Sequence, residues 1–140
     1  MGDRPDYFYT QSAVVPFRTR GEQLEILMIS SRKRRRWVIP KGIKEPELSA
    51  LDSAAKEAME EAGVCGKVLP QPLGTYQYPK WGGTCSVEVF AMQVEQMHDE
   101  WEESYRDREW VSLEEAVSRS EDPGLKQILR NLAGRLGPSC

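Results

Sequence analysis

Histidine and cysteine are nearly missing from this chain of 140 residues: His98 stands alone, and Cys65, Cys85 and Cys140 have neither close spacing nor an even count. That excludes a zinc cluster built from closely spaced ligands. It also excludes a disulfide framework, so the expected setting is reducing and cytoplasmic. Long apolar runs are missing as well. No stretch reaches the roughly 18 residues that a bilayer-crossing helix needs, and the first thirty residues carry Asp3, Arg4, Asp6, Arg18, Arg20, Glu22 and Glu25 where a signal peptide would be apolar. No membrane partner is expected. A large excess of one charge is lacking too: a net charge of −3 is not that of a general nucleic-acid binder.

What is present is ordinary globular composition, 39% apolar and 29% charged, in a length that suits one domain over residues 1–140 with its own core. No repeat or low-complexity linker divides it, residues 1–9 are expected to form a loose N-terminal segment, and nothing sets an oligomeric state. The charges are unevenly placed. Arg32, Lys33, Arg34, Arg35 and Arg36 form an unbroken basic run, while acids crowd residues 45–61 and 99–109.

Apolar, β-rich runs at Ser12–Arg18 and Gln23–Ser31 flank the turn Thr19-Arg20-Gly21-Glu22 and predict a hairpin. Trp37-Val38-Ile39 predicts a short strand stopped by Pro40, and Lys41–Leu48 a loop. Strands are predicted over Gly66–Tyr78, Thr84–Val94 and Arg108–Val111, with helices opening at Ser112 and running over Leu125–Leu136. The best-marked element lies between them: Ser49 is an N-cap with Asp52 three residues on, Gly63 is placed to end the helix, and Ala50–Ala62 is rich in helix formers. Strands around one strong helix imply a mixed α/β domain with helices covering a sheet.

At about 100° per residue, Leu51, Ala55, Ala58 and Ala62 fall within about 60° of one another, an apolar stripe expected to face the core. Glu57, Glu60 and Glu61 then share a second, exposed face. Glutamates at i, i+3 and i+4 repel one another by a few tenths of a kcal/mol per pair. Hard oxygen ligands so grouped suit magnesium or manganese, although most helical acid clusters are solvated faces.

The context favours the metal. Gly42 is followed by five residues, Leu48, seven more residues, then Lys56-Glu57-Ala58-Met59-Glu60-Glu61-Ala62-Gly63-Val64. This resembles the Nudix signature, in which Gly, Glu and Arg-Glu-apolar-x-Glu-Glu-x-Gly-apolar stand at the same spacing, and Trp37-Val38-Ile39-Pro40-Lys41-Gly42 also looks like the family. The resemblance implies a Nudix-type mixed β-sheet sandwiched between α-helices. It implies a metal-dependent pyrophosphohydrolase with catalytic residues Glu57, Glu60 and Glu61, which also ligate Mg2+ or Mn2+. The resemblance also implies the backbone carbonyl of Lys41 as a further ligand, together with a later acid, Glu103 or Glu102, which alternatively is only a solvated loop residue.

The chain departs from the signature at Leu48, where the family has glutamate, and at Lys56, where it has arginine; those two commonly pair and tie the loop to the helix. One acid lost and one arginine lost read as a single coupled change, for which Glu45 and Glu47 are nearby substitutes. Further stretches around Phe17-Arg18, Ser30-Ser31-Arg32 and Arg106-Asp107-Arg108-Glu109-Trp110 look like the diadenosine and diphosphoinositol polyphosphate hydrolase branch. The implied substrate-binding set is Arg18, Arg32, Arg34, Arg36, Lys41 and Gly42, with the basic run serving a polyanion. Two alternatives stay open: a nucleoside triphosphate or RNA 5′-pyrophosphate hydrolase, the one way nucleic acid enters, and a domain that binds a phosphorylated ligand without cleaving it. Trp37 and Trp110 are expected in the core, Trp81 at an exposed hairpin tip that borders the substrate or lies clear of it, and Tyr76 and Tyr78 on one strand face.

Overall fold

The computed structural model describes residues 4–136, so Cys140 and residues 1–3 lie outside the described part. Strands β1 (Thr10–Arg20) and β2 (Gln23–Ser30) form the expected hairpin, in register Phe17↔Ile26 and turned at Gly21, whose φ of 64° a side chain would strain. The chain continues through β3 (Trp37–Val38), β4 (Lys41–Ile43), helix α1 (Ala50–Glu57) with a π turn at Ala58–Ala62, and β5 (Val64–Val68). Then come β6 (Gly74–Lys80), β7 (Gly83–Met97), β8 (Arg108–Ser112), and helices α2 (Leu113–Arg119), α3 (Pro123–Arg130) and α4 (Leu132–Leu136). The sheet runs β3-β2-β1-β7-β5, with β4 on β1, β6 on β7 and β8 on β2.

The sheet is mixed because β1 runs parallel to β7, from Thr10↔Ser86 to Phe17↔Gln93, while its other neighbours are antiparallel. Strand β1 is buried from Gln11 to Phe17 without alternation, which requires both faces to be covered. Ala13, Val15 and Phe17 pack with Leu125, Ile128, Leu129 and Leu132 of the C-terminal helices, whereas Val14, Leu27 and Ile29 pack with Ala54, Ala58 and Ala62. Two apolar layers on one sheet are the sandwich the sequence implied.

Four elements differ from their sequence expectations. The start of the Lys41–Leu48 loop is a strand, because Lys41, Gly42 and Ile43 pair with Ala13, Ser12 and Gln11. The single strand over 66–78 is two, split at Pro70 and Pro72, which cannot donate to a ladder; the Leu69 and Leu73 N–H groups on either side still bond the β7 carbonyls of Ala91 and Val89. The last helix starts at Pro123, after Asp122, whose carboxylate accepts from the Gly124 and Leu125 N–H groups, and breaks at Asn131. The N-terminal segment, expected loose, makes a 3-10 turn over Asp6–Tyr9; the Tyr9 hydroxyl donates to the Trp81 carbonyl at 2.8 Å, and its ring fills the space over Gly83.

Helix α1 also buries a different face from the one expected. Ser53, Ala54, Ala58, Glu61 and Ala62 are inside, while Leu51 and Ala55 are only half-buried. The cause is size: serine and alanine let the helix approach the sheet closely, and that rotates the buried side toward the carboxylates. Glu61, expected on an exposed face, is 8% exposed.

Candidate metal and phosphate site

The π turn and β4 bring the acids together. Ser49 caps α1 by accepting the Asp52 N–H at 3.0 Å, and Gly63, at φ 68°, closes the far end against Trp101, which occupies the space a Cβ would need. The Trp101 indole N–H donates to the Glu61 carbonyl at 3.0 Å. Arg108 lies 3.8 Å over the Trp101 ring and donates to the Ala62 and His98 carbonyls at 2.9 Å each. The carboxylate-bearing turn is thus fixed from behind, and π turns within helices are frequent at functional sites.

In front stands β4. A Cβ on Gly42 would overlap the carboxylate of Glu57, so glycine there is what lets Glu57 lie across the strand. The Lys41 N–H donates to Glu61 at 3.2 Å. Within a strand, the N–H and C=O of one residue leave on the same edge. Pro40 faces β1 through its carbonyl and Lys44 through its N–H, so the Lys41 carbonyl shares the outer edge with the bond to Glu61.

The carboxyls of Glu57 and Glu61 lie within hydrogen-bonding reach of each other. Burial pushes Glu61 up to about 8, with Arg106 pulling it down and Glu57 adding to the rise; burial raises Glu57 in the same direction. On the other side, carboxylate oxygens of Glu60, Glu102 and Glu103 come within 4.8 Å of one another. Lys56 sits between groups, 3.3 Å from both Glu60 and Glu45. The loop-to-helix tie that Leu48 cannot make is therefore made by Glu45 and not by Glu47.

A cleft of about 880 Å³ opens over these acids, and Gly42, Lys41, Arg32, Arg36, Lys80 and Trp81 help to line it. Lys41 reaches into its floor, donating to the Tyr78 hydroxyl at 2.9 Å, which in turn donates to Gln11 at 2.7 Å. Burial, then the neighbouring charges of Lys80 and Arg36, lower the Lys41 ammonium to about 8. Burial likewise pushes Tyr78 up to about 12. Three cations thus line the same cleft as the carboxylates.

The basic run is a tight turn, with the Ser31 N–H donating to the Arg36 carbonyl at 2.8 Å and Ser31 Oγ accepting from Arg35 and Arg36. It divides the expected phosphate ligands. Arg32 and Arg36 face the cleft, Arg36 also pairing with Glu121 at 3.3 Å. Arg34, held at φ 58°, turns away to pair with Asp107 at 2.7 Å. Arg18 does not join the site: β1 carries it to the far end of the hairpin, where it pairs with Glu25 at 2.7 Å and lies 4.1 Å over Trp110. Lys80 and Arg106 went unmarked in the sequence reading of the site. Lys80 is an isolated cation at the end of β6, beside the turn, and only the hairpin register of β6 and β7 delivers it to the cleft.

Residues 9–132 match the family model described as the NUDIX domain. Nudix hydrolase 13, mitochondrial, of Arabidopsis thaliana is 37% identical over 106 residues, which cover 68% of this chain and 52% of that protein, so the chain spans about half the length of that relative. Diphosphoinositol polyphosphate phosphohydrolase 3-alpha of Homo sapiens is 36% identical over 119 residues, covering 81% of this chain and 70% of that protein. Among solved structures, the C. elegans Ap4A hydrolase binary complex superposes with a TM-score of 0.78 over 91% of this chain and 97% of that one; at 21% identity this is a likeness of fold. The signature-bearing turn, the sheet that holds it and these matches have one reading: the chain belongs to the Nudix family.

Proposed function

We propose that the protein is a metal-dependent hydrolase that cleaves a phosphoanhydride bond in a polyphosphorylated small molecule of the diadenosine or diphosphoinositol polyphosphate type. The observation that carries this reading is the packing of Glu57 against Gly42 and of Glu57 and Glu61 against each other, in a cleft that Lys41, Lys80 and Arg36 also line. Acids that resist ionisation when crowded alone, beside a strand edge cleared by a glycine, suit a divalent cation.

Glu57, Glu60 and Glu61 would hold Mg2+ or Mn2+, with the Lys41 carbonyl and Glu103 as further oxygens. When bound, such an ion supplies charge neutralisation at phosphorus and a more acidic water. The chain's own residues do the rest. Arg32, Arg36, Lys41 and Lys80 bind the phosphates away from the cleaved bond and set its position. Glu60, tied to Lys56, accepts the proton of the attacking water. Tyr78 and Gln11 hold the Lys41 ammonium in place. A reducing, cytoplasmic setting is the reading that the odd number and wide spacing of the cysteines support.

The test is turnover of a panel: diadenosine polyphosphates, diphosphoinositol polyphosphates, nucleoside triphosphates and 5′-triphosphorylated RNA, each with magnesium or manganese. We expect cleavage that a chelator abolishes, fastest for one of the first two classes. Fastest cleavage of either of the last two would replace the substrate class, and binding without cleavage of any would replace the enzyme by a binding domain.

A further inference from the structure

Among the described residues, the charged side chains that leave less than a tenth of their surface exposed are Glu61 and Arg106. Nothing in the signature asks for Arg106. Its Nε and Nη2 donate to one and the same oxygen of Glu103, at 3.0 and 2.9 Å, and its Nη1 donates to the Ser30 carbonyl at the end of β2, at 2.9 Å. The Tyr105 hydroxyl adds a third donor to that oxygen at 3.1 Å. One oxygen of Glu103 is therefore saturated, and its other oxygen takes no hydrogen bond from the described residues. The Glu103 N–H donates to the Glu60 carbonyl at 2.9 Å, so backbone and side chain together bind this loop to the carboxylate turn.

We propose that Arg106 is a positioning residue for the metal site: it anchors Glu103 to β2 by one oxygen and so presents the other beside Glu60, as an added ligand to the ion. This rests on the metal reading given above. A guanidinium is suited to the task because its planar fork fixes a carboxylate's orientation, which a lysine ammonium does not. The same fixed charge stands beside Glu61 and helps to hold that buried carboxyl in place without substrate. Groups that orient metal ligands typically change affinity or activity by about 10- to 100-fold when removed.

The experiment is Mn2+ binding to the whole chain, followed by electron paramagnetic resonance with no substrate present. Arg106→Gln is expected to weaken Mn2+ affinity about tenfold, and Glu103→Gln to do the same. The double variant should be no weaker than the poorer single one, because both remove one ligand by one route. Arg106→Lys keeps the buried charge without the fork; it is expected to lose affinity too, and it decides the matter should Arg106→Gln not fold. Affinity unchanged in a folded Arg106 variant, or losses that add, overturns the positioning role. A raised KM with Mn2+ affinity intact also overturns it, since Arg106 would then be a phosphate ligand. Failure of the wild-type chain to bind Mn2+ at all overturns the metal reading itself, and this proposal with it.

Discussion

The two walls of the cleft are built on opposite principles. The acidic wall is held from every side: Gly42 presses on Glu57, the Lys41 N–H and Trp101 grip Glu61 and its backbone, and Arg108 closes the turn behind them. On the basic side, apart from Lys41 and Lys80, the cations come from an exposed turn, where Arg36 is partly neutralised by Glu121 through a surface pair of little energy. A reaction centre tolerates little displacement, so its ligands are preorganised. Recognition of a flexible chain of phosphates needs charge more than fixed geometry, and long arginines on a surface turn provide it. The comparison teaches that damage to the acidic wall should affect turnover, and damage to the basic wall should affect substrate choice.

The largest expected effect comes from Glu61→Gln, which should lower turnover at least about 100-fold with the fold retained. Steady-state kinetics beside circular dichroism checks this, and near-wild-type turnover would remove Glu61 from the site. Gly42→Ala should follow, at about tenfold or more, because its new Cβ displaces Glu57 from its seat; a crystal structure with Glu57 unmoved would contradict that cause.

Replacing Arg32 and Arg36 by glutamine should raise KM by more for substrates with more phosphates, while kcat changes less. Arg34→Gln and Arg18→Gln, directed at residues paired outside the cleft, should change KM less than twofold. Equal effects from all four would erase the division of the basic turn drawn above.

A third effect is on stability. Because the folded Glu61 carboxyl sits well above its ordinary value, the folded chain binds more protons than the unfolded one from about pH 4.5 to about 8. Stability of the metal-free protein should therefore fall as pH rises through that window. Divalent metal should reverse the loss, and Glu61→Gln should flatten the pH dependence in the metal-free state. Melting curves from pH 5 to 8, with and without Mg2+, read all three. The smallest effect is on the substituted tie: Glu45→Gln removes a half-exposed pair with Lys56 and should cost less than about 1 kcal/mol.

Much of this was legible in the sequence because it is local. Ser49, Asp52 and Gly63 mark the helix ends through rules that act within one turn, and the spacing of Glu57, Glu60 and Glu61 fixes their common side. The contacts that complete the site are not local. The Cβ space at Gly42 is taken by a residue on another element, the Glu103–Arg106 fork is oriented by the carbonyl of Ser30, and Lys80 reaches the cleft only through the pairing of β6 with β7. Arg18 lies outside the cleft for the same reason: Lys41, Gly42 and Ile43 pair with Ala13, Ser12 and Gln11, at the opposite end of β1 from the hairpin turn beside Arg18. The buried face of α1 was misjudged because ranking positions by hydrophobicity gave Leu51 more weight than the small residues that allow close approach.

The central claim is that the carboxylates on the π turn hold a divalent cation for the chemistry. Its most direct measurement is anomalous diffraction from crystals soaked at neutral pH in manganese and a non-hydrolysable polyphosphate. We expect a manganese peak bounded by Glu57, Glu60 and Glu61, with phosphate oxygens reaching it from the side of Lys41. Polyphosphate bound in the cleft with no metal at those side chains would contradict the account.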